Sequence, residues 1–376
     1  MGRVGGTCQD AFSGVQTVFE ELFDAGEVGA SVAVFVDGTP VVDLWGGLAD
    51  RDAGTPWTAD TIVSTMSTTK TMTALCALVL ADDKELDLDA PVARYWPEFA
   101  AAGKDAIAVR HLLSHTSGLA GWDLPMSEDD LYNWDLACSR LAAQEPWWKP
   151  GTASGYHGLT FGYLVGEVIR RITGTSVGRF FDARIAKPLQ ADFQIGIDSS
   201  DDVRVARLVA PEPVEYELDP NSIMFRTTTN PAPTVEWMTH DGWLHSEVPG
   251  ANGHGNARSV AKIQSVMSLG GEVNGVRILS EEGCRQAWRQ LSSGVDHVLG
   301  IPVQFGLGYA VSTEGMPFTA GHRAIFWGGW GGSLVVNDPE ARMTFAYAMN
   351  RLGQGTVGDG RTAKLLAEVY RSLGRA

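Results

Sequence analysis

A serine and a lysine three residues apart, in Ser67-Thr68-Thr69-Lys70, are the side chains of this sequence whose types and spacing best suit chemistry. Three residues make nearly one helical turn, so a helix here points the serine oxygen and the lysine amine the same way. A serine hydroxyl must lose its proton as it attacks, so it needs an activating group beside it. A buried lysine can provide this in two ways. Desolvation can lower its pKa until it accepts a proton, or its charge can stabilise a neighbouring anion. A helix N-terminus at the serine adds a field that favours negative charge there. From Ser67 to Ala81 the chain is apolar nearly all round, which predicts a buried helix and makes a lysine in its first turn conspicuous.

Other segments copy parts of such patterns. Ser259-Val260-Ala261-Lys262 repeats S-x-x-K, but Ser259 reads as an N-cap or early helical residue and Lys262 as part of a solvated face. Gly174-Thr175-Ser176-Val177-Gly178 fits G-x-S-x-G, yet a nucleophile elbow needs a strand before it and Val165 to Ile172 read as helix. Gly174 is then a helix C-cap and Ser176 the start of the next helix. His111 and His115 lie four apart on an expected helix, a spacing that can bind metal. No glutamate base sits between them and no third ligand is evident, so capping and core hydrogen bonding are expected, with no metal and no cofactor. His157 and His322 are expected to line the site without acting as its base.

More landmarks follow Ser67–Lys70 in order: Leu86-Asp87-Leu88-Asp89-Ala90-Pro91-Val92, then His111-Leu112-Leu113-Ser114-His115-Thr116-Ser117-Gly118-Leu119, then Pro150-Gly151 leading to Tyr156, and finally Trp327-Gly328-Gly329. Each is common singly. Together they resemble the serine β-lactamase and penicillin-binding-protein superfamily, and within it the class C β-lactamase-related carboxylesterases, the family VIII esterases. The resemblance covers most of the chain.

That resemblance assigns roles. Tyr156, otherwise an ordinary loop tyrosine, matches the tyrosine of the family's second motif. Its phenol would be the general base for Ser67, and its pKa of roughly 10 must fall for that, with the Lys70 ammonium as the natural cause. The family's Y-x-N is broken here, because His157 and Gly158 follow Tyr156. The family's K-T-G becomes Trp327-Gly328-Gly329, which removes a cation suited to the carboxylate of a β-lactam and offers an indole wall instead. Trp327, Gly328, Gly329 and His157 are thus the expected substrate contacts, with the glycines letting backbone approach the substrate. The backbone N–H groups of Ser67 and Trp330 are the implied oxyanion hole. Both departures favour a carboxylesterase for short- to medium-chain esters, acting through an acyl-enzyme on Ser67. β-Lactamase or D-Ala-D-Ala peptidase activity, amide hydrolysis or acyl transfer, and a non-catalytic binding role are the alternatives.

Several elements must position these groups. Asp10 to Ala25 carries an apolar stripe through Phe12, Val15, Phe19 and Leu22, and predicts a helix stopped at Gly26. Ser31–Val36 and Val41–Trp45 read as a hairpin about Asp37-Gly38-Thr39-Pro40. Helical patterns dominate to about Leu189, including Leu159 to Arg171. Between Val209 and Gly250, prolines at 211, 213, 220, 231, 233 and 249 interrupt all periodicity, as in a lid or loop layer. A helix candidate at Ser259–Leu269 follows. Strand-like runs come next at Leu307–Ser312, Ala324–Trp327, Leu334–Asn337 and Thr344–Asn350, before a last helix from about Thr362 to Leu373.

The expected fold is α/β of the α+β type, β-lactamase-like: a mostly antiparallel sheet flanked by the terminal helices, with an inserted helical domain. Residues 1–62 and 250–376 would form the α/β part. Residues 63–249 would form the mainly helical part, with an irregular lid over 209–249. Eight tryptophans, Trp122, Trp134, Trp147, Trp148, Trp237, Trp243, Trp327 and Trp330, fall in segments that can border the cleft.

The bulk composition fits this reading. The 376 residues exceed what one compact core usually holds, and a net charge of −16 repels phosphate backbones and anionic lipid, so neither nucleic acid nor membrane is an expected partner. No apolar run reaches the roughly 18 to 20 residues of a membrane span, and Met1 to Asp10 lacks a signal-peptide core. A cytoplasmic location is the expectation, with the four widely spaced cysteines as thiols and a small ester as partner. The sequence leaves the oligomeric state open.

Overall fold

The structure, a computed structural model, describes residues 4–214, 217–312 and 323–375. His322 lies outside them. Among the described residues a ten-stranded antiparallel sheet forms the frame. Its strands run in the order Gly5–Cys8, Thr39–Asp50, Gly29–Val36, Met343–Met349, Leu334–Asp338, Ile325–Gly328, Ala310–Val311, Pro302–Phe305 and Ser292–Val295, and Thr55–Pro56 adds to Thr39–Asp50. Both ends of the chain therefore build one sheet, as the pattern of strand-like runs predicts.

Strand Gly29–Val36 is buried at every position but the last, so both faces of the sheet are covered at its centre. Helix Ala257–Ser268 packs on the three central strands, and the terminal helices Ser13–Asp24 and Gly360–Ser372 pack on each other. The predicted N-terminal stripe is the reason: Val15, Phe19 and Leu22 are all buried.

Four local expectations change. The hairpin closes on two residues, Asp37 (φ 50°) and Gly38 (φ 75°), and Thr39 and Pro40 already belong to the strand. The run Leu307–Ser312 forms strand only at Ala310–Val311. Gly308, at φ 81°, turns in to donate to the Leu113 carbonyl, and a Cβ there would lie 2.1 Å from that of Ala74. The helix expected from Ser67 begins as a 3-10 turn, Met66–Thr68, and becomes α-helical over Thr69–Asp82. His111 and His115 do not share a helix, because Val109–Leu113 ends before His115, which sits at φ 59°.

Both decoys resolve as read. Gly174 caps helix Thr160–Thr173 at φ 69°, and Ser176 caps the next helix by accepting from the Arg179 N–H. Ser259 lies in the first turn of helix Ala257–Ser268, whose N-cap is Asn256. All four cysteines are free. Among the described residues no helix is long and apolar enough to cross a membrane.

Candidate active site

The nucleophile segment is held from both sides before any side chain reaches the substrate. Thr65 N–H donates to Gly253 O at 2.8 Å, and Gly253 N–H donates to Thr69 Oγ1 at 2.8 Å. Ser333 Oγ donates to Thr65 O at 2.7 Å and lies 3.0 Å from Thr68 Oγ1. The two threonines inside S-x-x-K are therefore anchors for the turn. Met66, at φ 48°, occupies a left-handed conformation that a non-glycine residue adopts only when its surroundings impose it. This bend presents Ser67 at the wall of a cavity of about 620 Å³.

Lys70 is 0% exposed, and its Nζ lies 3.0 Å from Ser67 Oγ, 2.6 Å from Gly158 O and 2.7 Å from Gly250 O. Burial holds its pKa well below the usual lysine value, so the neutral amine is favoured. Carbonyl oxygens only accept, so Gly158 O and Gly250 O each take one N–H, and the third contact joins Nζ to Ser67 Oγ.

Tyr156 stands on the other side of Ser67. Lys70 Nζ is 4.7 Å from its ring centroid, its phenol shares a hydrogen bond with Ser67, and Trp327 Nε1–H donates to its Oη at 3.3 Å. Its pKa is raised, with burial the largest cause. The hydrogen bonds from Ser67 and Trp327 pull the other way, and the charge of Asp296 pushes up further. The expectation that this phenol's pKa falls is corrected: burial raises it and outweighs the hydrogen bonds that lower it.

Trp327 and His157 also depart from the sequence reading. Trp327 is 1% exposed and lies beneath Tyr156, ring centroids 5.1 Å apart, as a hydrogen-bond donor and not as a substrate wall. His157 is 0% exposed and away from the cavity lining. Its Nδ1 is 2.6 Å from Gly155 O, so Nδ1 carries the proton, and Nε2 accepts from Ser117 Oγ at 2.6 Å. Burial lowers its pKa to about 4, which keeps that tautomer neutral. The reason for both corrections is packing: these rings, with His115 and Phe305, fill the floor under Tyr156.

Gly328 and Gly329 serve a different close approach from the one expected. A Cβ on Gly329 would lie 2.5 Å from Thr65 O and 2.7 Å from Met66 Cβ, so the glycine lets the strand end press against the nucleophile turn. That contact brings Trp330 to the cavity wall beside Ser67. Ser67 and Trp330, whose N–H groups are the expected oxyanion donors, thus both border the cavity.

The rest of the lining is mostly apolar, with Thr227, Thr228, Gln354 and Thr356 as polar members. Of the eight candidate tryptophans, Trp243 and Trp330 line it, and among the described residues no lining side chain is charged. The irregular segment supplies much of the wall through Leu218, Met224, Pro231, Pro233 and Met238, with Met224 carried on the short helix Ile223–Thr229 and Met238 on the 3-10 turn Trp237–Thr239.

Three contributors carry no sequence signal. Gly158 and Gly250 act through carbonyl oxygens, which any residue possesses. Asp296 has no motif spacing, yet its Oδ1 accepts from the N–H groups of Tyr156, Val298 and Leu299, each at 2.9 Å, and so places Tyr156.

Residues 15–368 match the beta-lactamase family. The chain is 35% identical over 366 residues to the esterase/beta-lactamase LipL of Mycobacterium tuberculosis, covering 93% of this chain and 83% of LipL. A crystal structure described as a family VIII carboxylesterase superposes with a TM-score of 0.93 at 38% identity, covering 98% of this chain and 100% of that one. A penicillin-binding-protein homologue from Caulobacter crescentus superposes with a TM-score of 0.92 at 36% identity, covering 98% and 100%. The chain belongs to the beta-lactamase family, and its likeness to family VIII carboxylesterases extends over the whole fold.

Proposed function

We propose that the chain is a serine carboxylesterase that cleaves uncharged short- to medium-chain esters through an acyl-enzyme on Ser67. The observation that carries this reading is the buried Lys70 amine. Its Nζ is held by two backbone carbonyls and lies 3.0 Å from Ser67 Oγ, at the wall of a mostly apolar cavity.

Ser67 Oγ attacks the ester carbon as its proton passes to Lys70. The carbonyl oxygen becomes an oxyanion facing the N–H groups of Ser67 and Trp330. The bond to the alcohol oxygen breaks, and that oxygen takes a proton from the Tyr156 phenol, which Lys70 then restores. Water attacks the acyl-enzyme along the same path, gives its proton to the Lys70–Tyr156 pair, and the acid departs as Ser67 Oγ is reprotonated. A mostly apolar lining, with no charged side chain among the described residues, favours neutral esters over anionic β-lactams. Four unpaired thiols suit a reducing compartment, which supports a cytoplasmic setting.

The test is hydrolysis of p-nitrophenyl esters of increasing acyl length by the wild type and by Ser67→Ala. Wild-type turnover of the short and medium esters, lost in the variant, is expected. Turnover that survives in Ser67→Ala would remove Ser67 as nucleophile. Nitrocefin turnover as fast as ester turnover would move the assignment to a β-lactamase.

A further inference from the structure

The geometry points to Arg361, on the C-terminal helix, as the positioning residue that sets the Trp330 N–H in the oxyanion hole. This inference rests on the esterase reading above. Arg361 is nowhere near the ester; its guanidinium is 19% exposed and lies behind the glycine turn that follows Trp330.

All five guanidinium N–H groups are engaged. Nε donates to Asp359 at 3.0 Å, and Nη1 donates to Glu27 Oε2 at 2.6 Å and to Arg351 O at 2.9 Å. Nη2 donates to Asp359 Oδ2 at 2.6 Å and to Gly331 O. Glu27 is itself buried and also accepts from Tyr347 Oη at 2.7 Å. The cation is fixed on two sides by carboxylates, and its two remaining N–H groups grip the carbonyls of Arg351 and Gly331.

Two rigid planes carry that grip to the site. Gly331 O and Gly332 N–H belong to one planar peptide, and Gly332 N–H donates to Gly329 O at 3.1 Å. Gly329 O and Trp330 N–H belong to another. In a trans peptide the C=O and N–H point oppositely, so holding Gly329 O aims Trp330 N–H. Gly353 N–H, at 2.8 Å from Gly331 O, and Gly331 N–H, at 2.9 Å from Gly355 O, pin the same turn from its outer side. The glycines are required by this arrangement. A Cβ on Gly332, at φ 120°, would lie 2.5 Å from Arg361 Nη2 and 2.6 Å from Asp359 Oδ2. The second Gly-Gly pair of Trp327-Gly328-Gly329-Trp330-Gly331-Gly332 thus makes room for the guanidinium, as the first makes room for the nucleophile turn.

The test is Arg361→Lys, which keeps the charge and loses the fork. Rates are taken per active site, counted by phosphonate labelling of Ser67. Loss of an entire oxyanion donor typically costs about 10²–10³ in kcat, so a misaimed donor is expected to cost about tenfold to a hundredfold. Affinity for a trifluoromethyl ketone, whose adduct carries the oxyanion, should fall by the same factor, while KM and inhibition by the product alcohol stay within about twofold. A lower melting temperature with kcat per site and ketone affinity unchanged would make Arg361 merely structural and overturn the inference. If Arg361→Lys does not fold, Glu27→Gln loosens the guanidinium instead. It should weaken kcat and ketone affinity together by about threefold or more, and no change in either overturns the inference equally. Failure of the esterase reading shows separately, as absent turnover in the wild type or turnover surviving in Ser67→Ala.

Discussion

Replacing Lys70 with alanine separates a lysine that accepts a proton from one that only lends charge. In the structure the amine sits 3.0 Å from Ser67 Oγ and is held by Gly158 O at 2.6 Å and Gly250 O at 2.7 Å. Truncation removes the general base and leaves both carbonyls facing a small cavity. General-base catalysis contributes about 10²–10⁴ in rate, or about 2.7–5.4 kcal/mol of barrier, so Lys70→Ala should lose kcat by that factor. The vacated space admits a small amine, and its carbonyls offer two acceptors to the N–H groups of methylamine. Rescue should therefore follow the concentration of the free base and rise with pH up to the pKa of the amine. The assay is p-nitrophenyl ester hydrolysis with methylamine titrated at several pH values. A loss below tenfold, or rescue that tracks the methylammonium ion and falls as pH rises, would refute the base assignment and return that role to Tyr156.

Two further outcomes follow from the same buried groups. Trp327→Phe removes the N–H that bonds Tyr156 Oη at 3.3 Å while keeping an aromatic floor. A net hydrogen bond of about 0.5–1.5 kcal/mol predicts a two- to tenfold fall in kcat, with KM unchanged because Trp327 is buried under Tyr156; a KM rise with kcat intact would contradict its placement. For stability, Lys70 has a lowered pKa when folded, so below the usual lysine pKa the unfolded chain binds a proton that the folded chain refuses. The wild type should gain stability as pH rises toward that value, by up to about 1.4 kcal/mol per pH unit, and Lys70→Met should lack this gain. Urea denaturation at pH 7 to 10 checks it, and parallel curves for the two proteins would contradict a neutral Lys70.

The local sequence was enough for the parts whose physics is local. The apolar stretch after Ser67 demands burial on every side, and the S-x-x-K spacing puts amine and hydroxyl on one face whatever surrounds them. The stripe of Val15, Phe19 and Leu22 needs only helical periodicity, and Gly174 needs only a left-handed cap. The order of landmarks from Ser67 to Trp327 carried the fold, because each lies where the chain must turn or pack closely.

What the tertiary structure decided involves partners far apart in the chain. Asp296 places Tyr156 across 140 residues, and Lys70 is held by carbonyls 88 and 180 residues away. No spacing announces such contacts, since a backbone oxygen has no residue type. Burial likewise sets which of Lys70 and Tyr156 keeps the proton, because desolvation belongs to the assembled interior and not to either side chain. Trp327 and His157 carry the same lesson. Their motif positions brought them to the site, and only packing determined that they stand beneath Tyr156 instead of facing the ester.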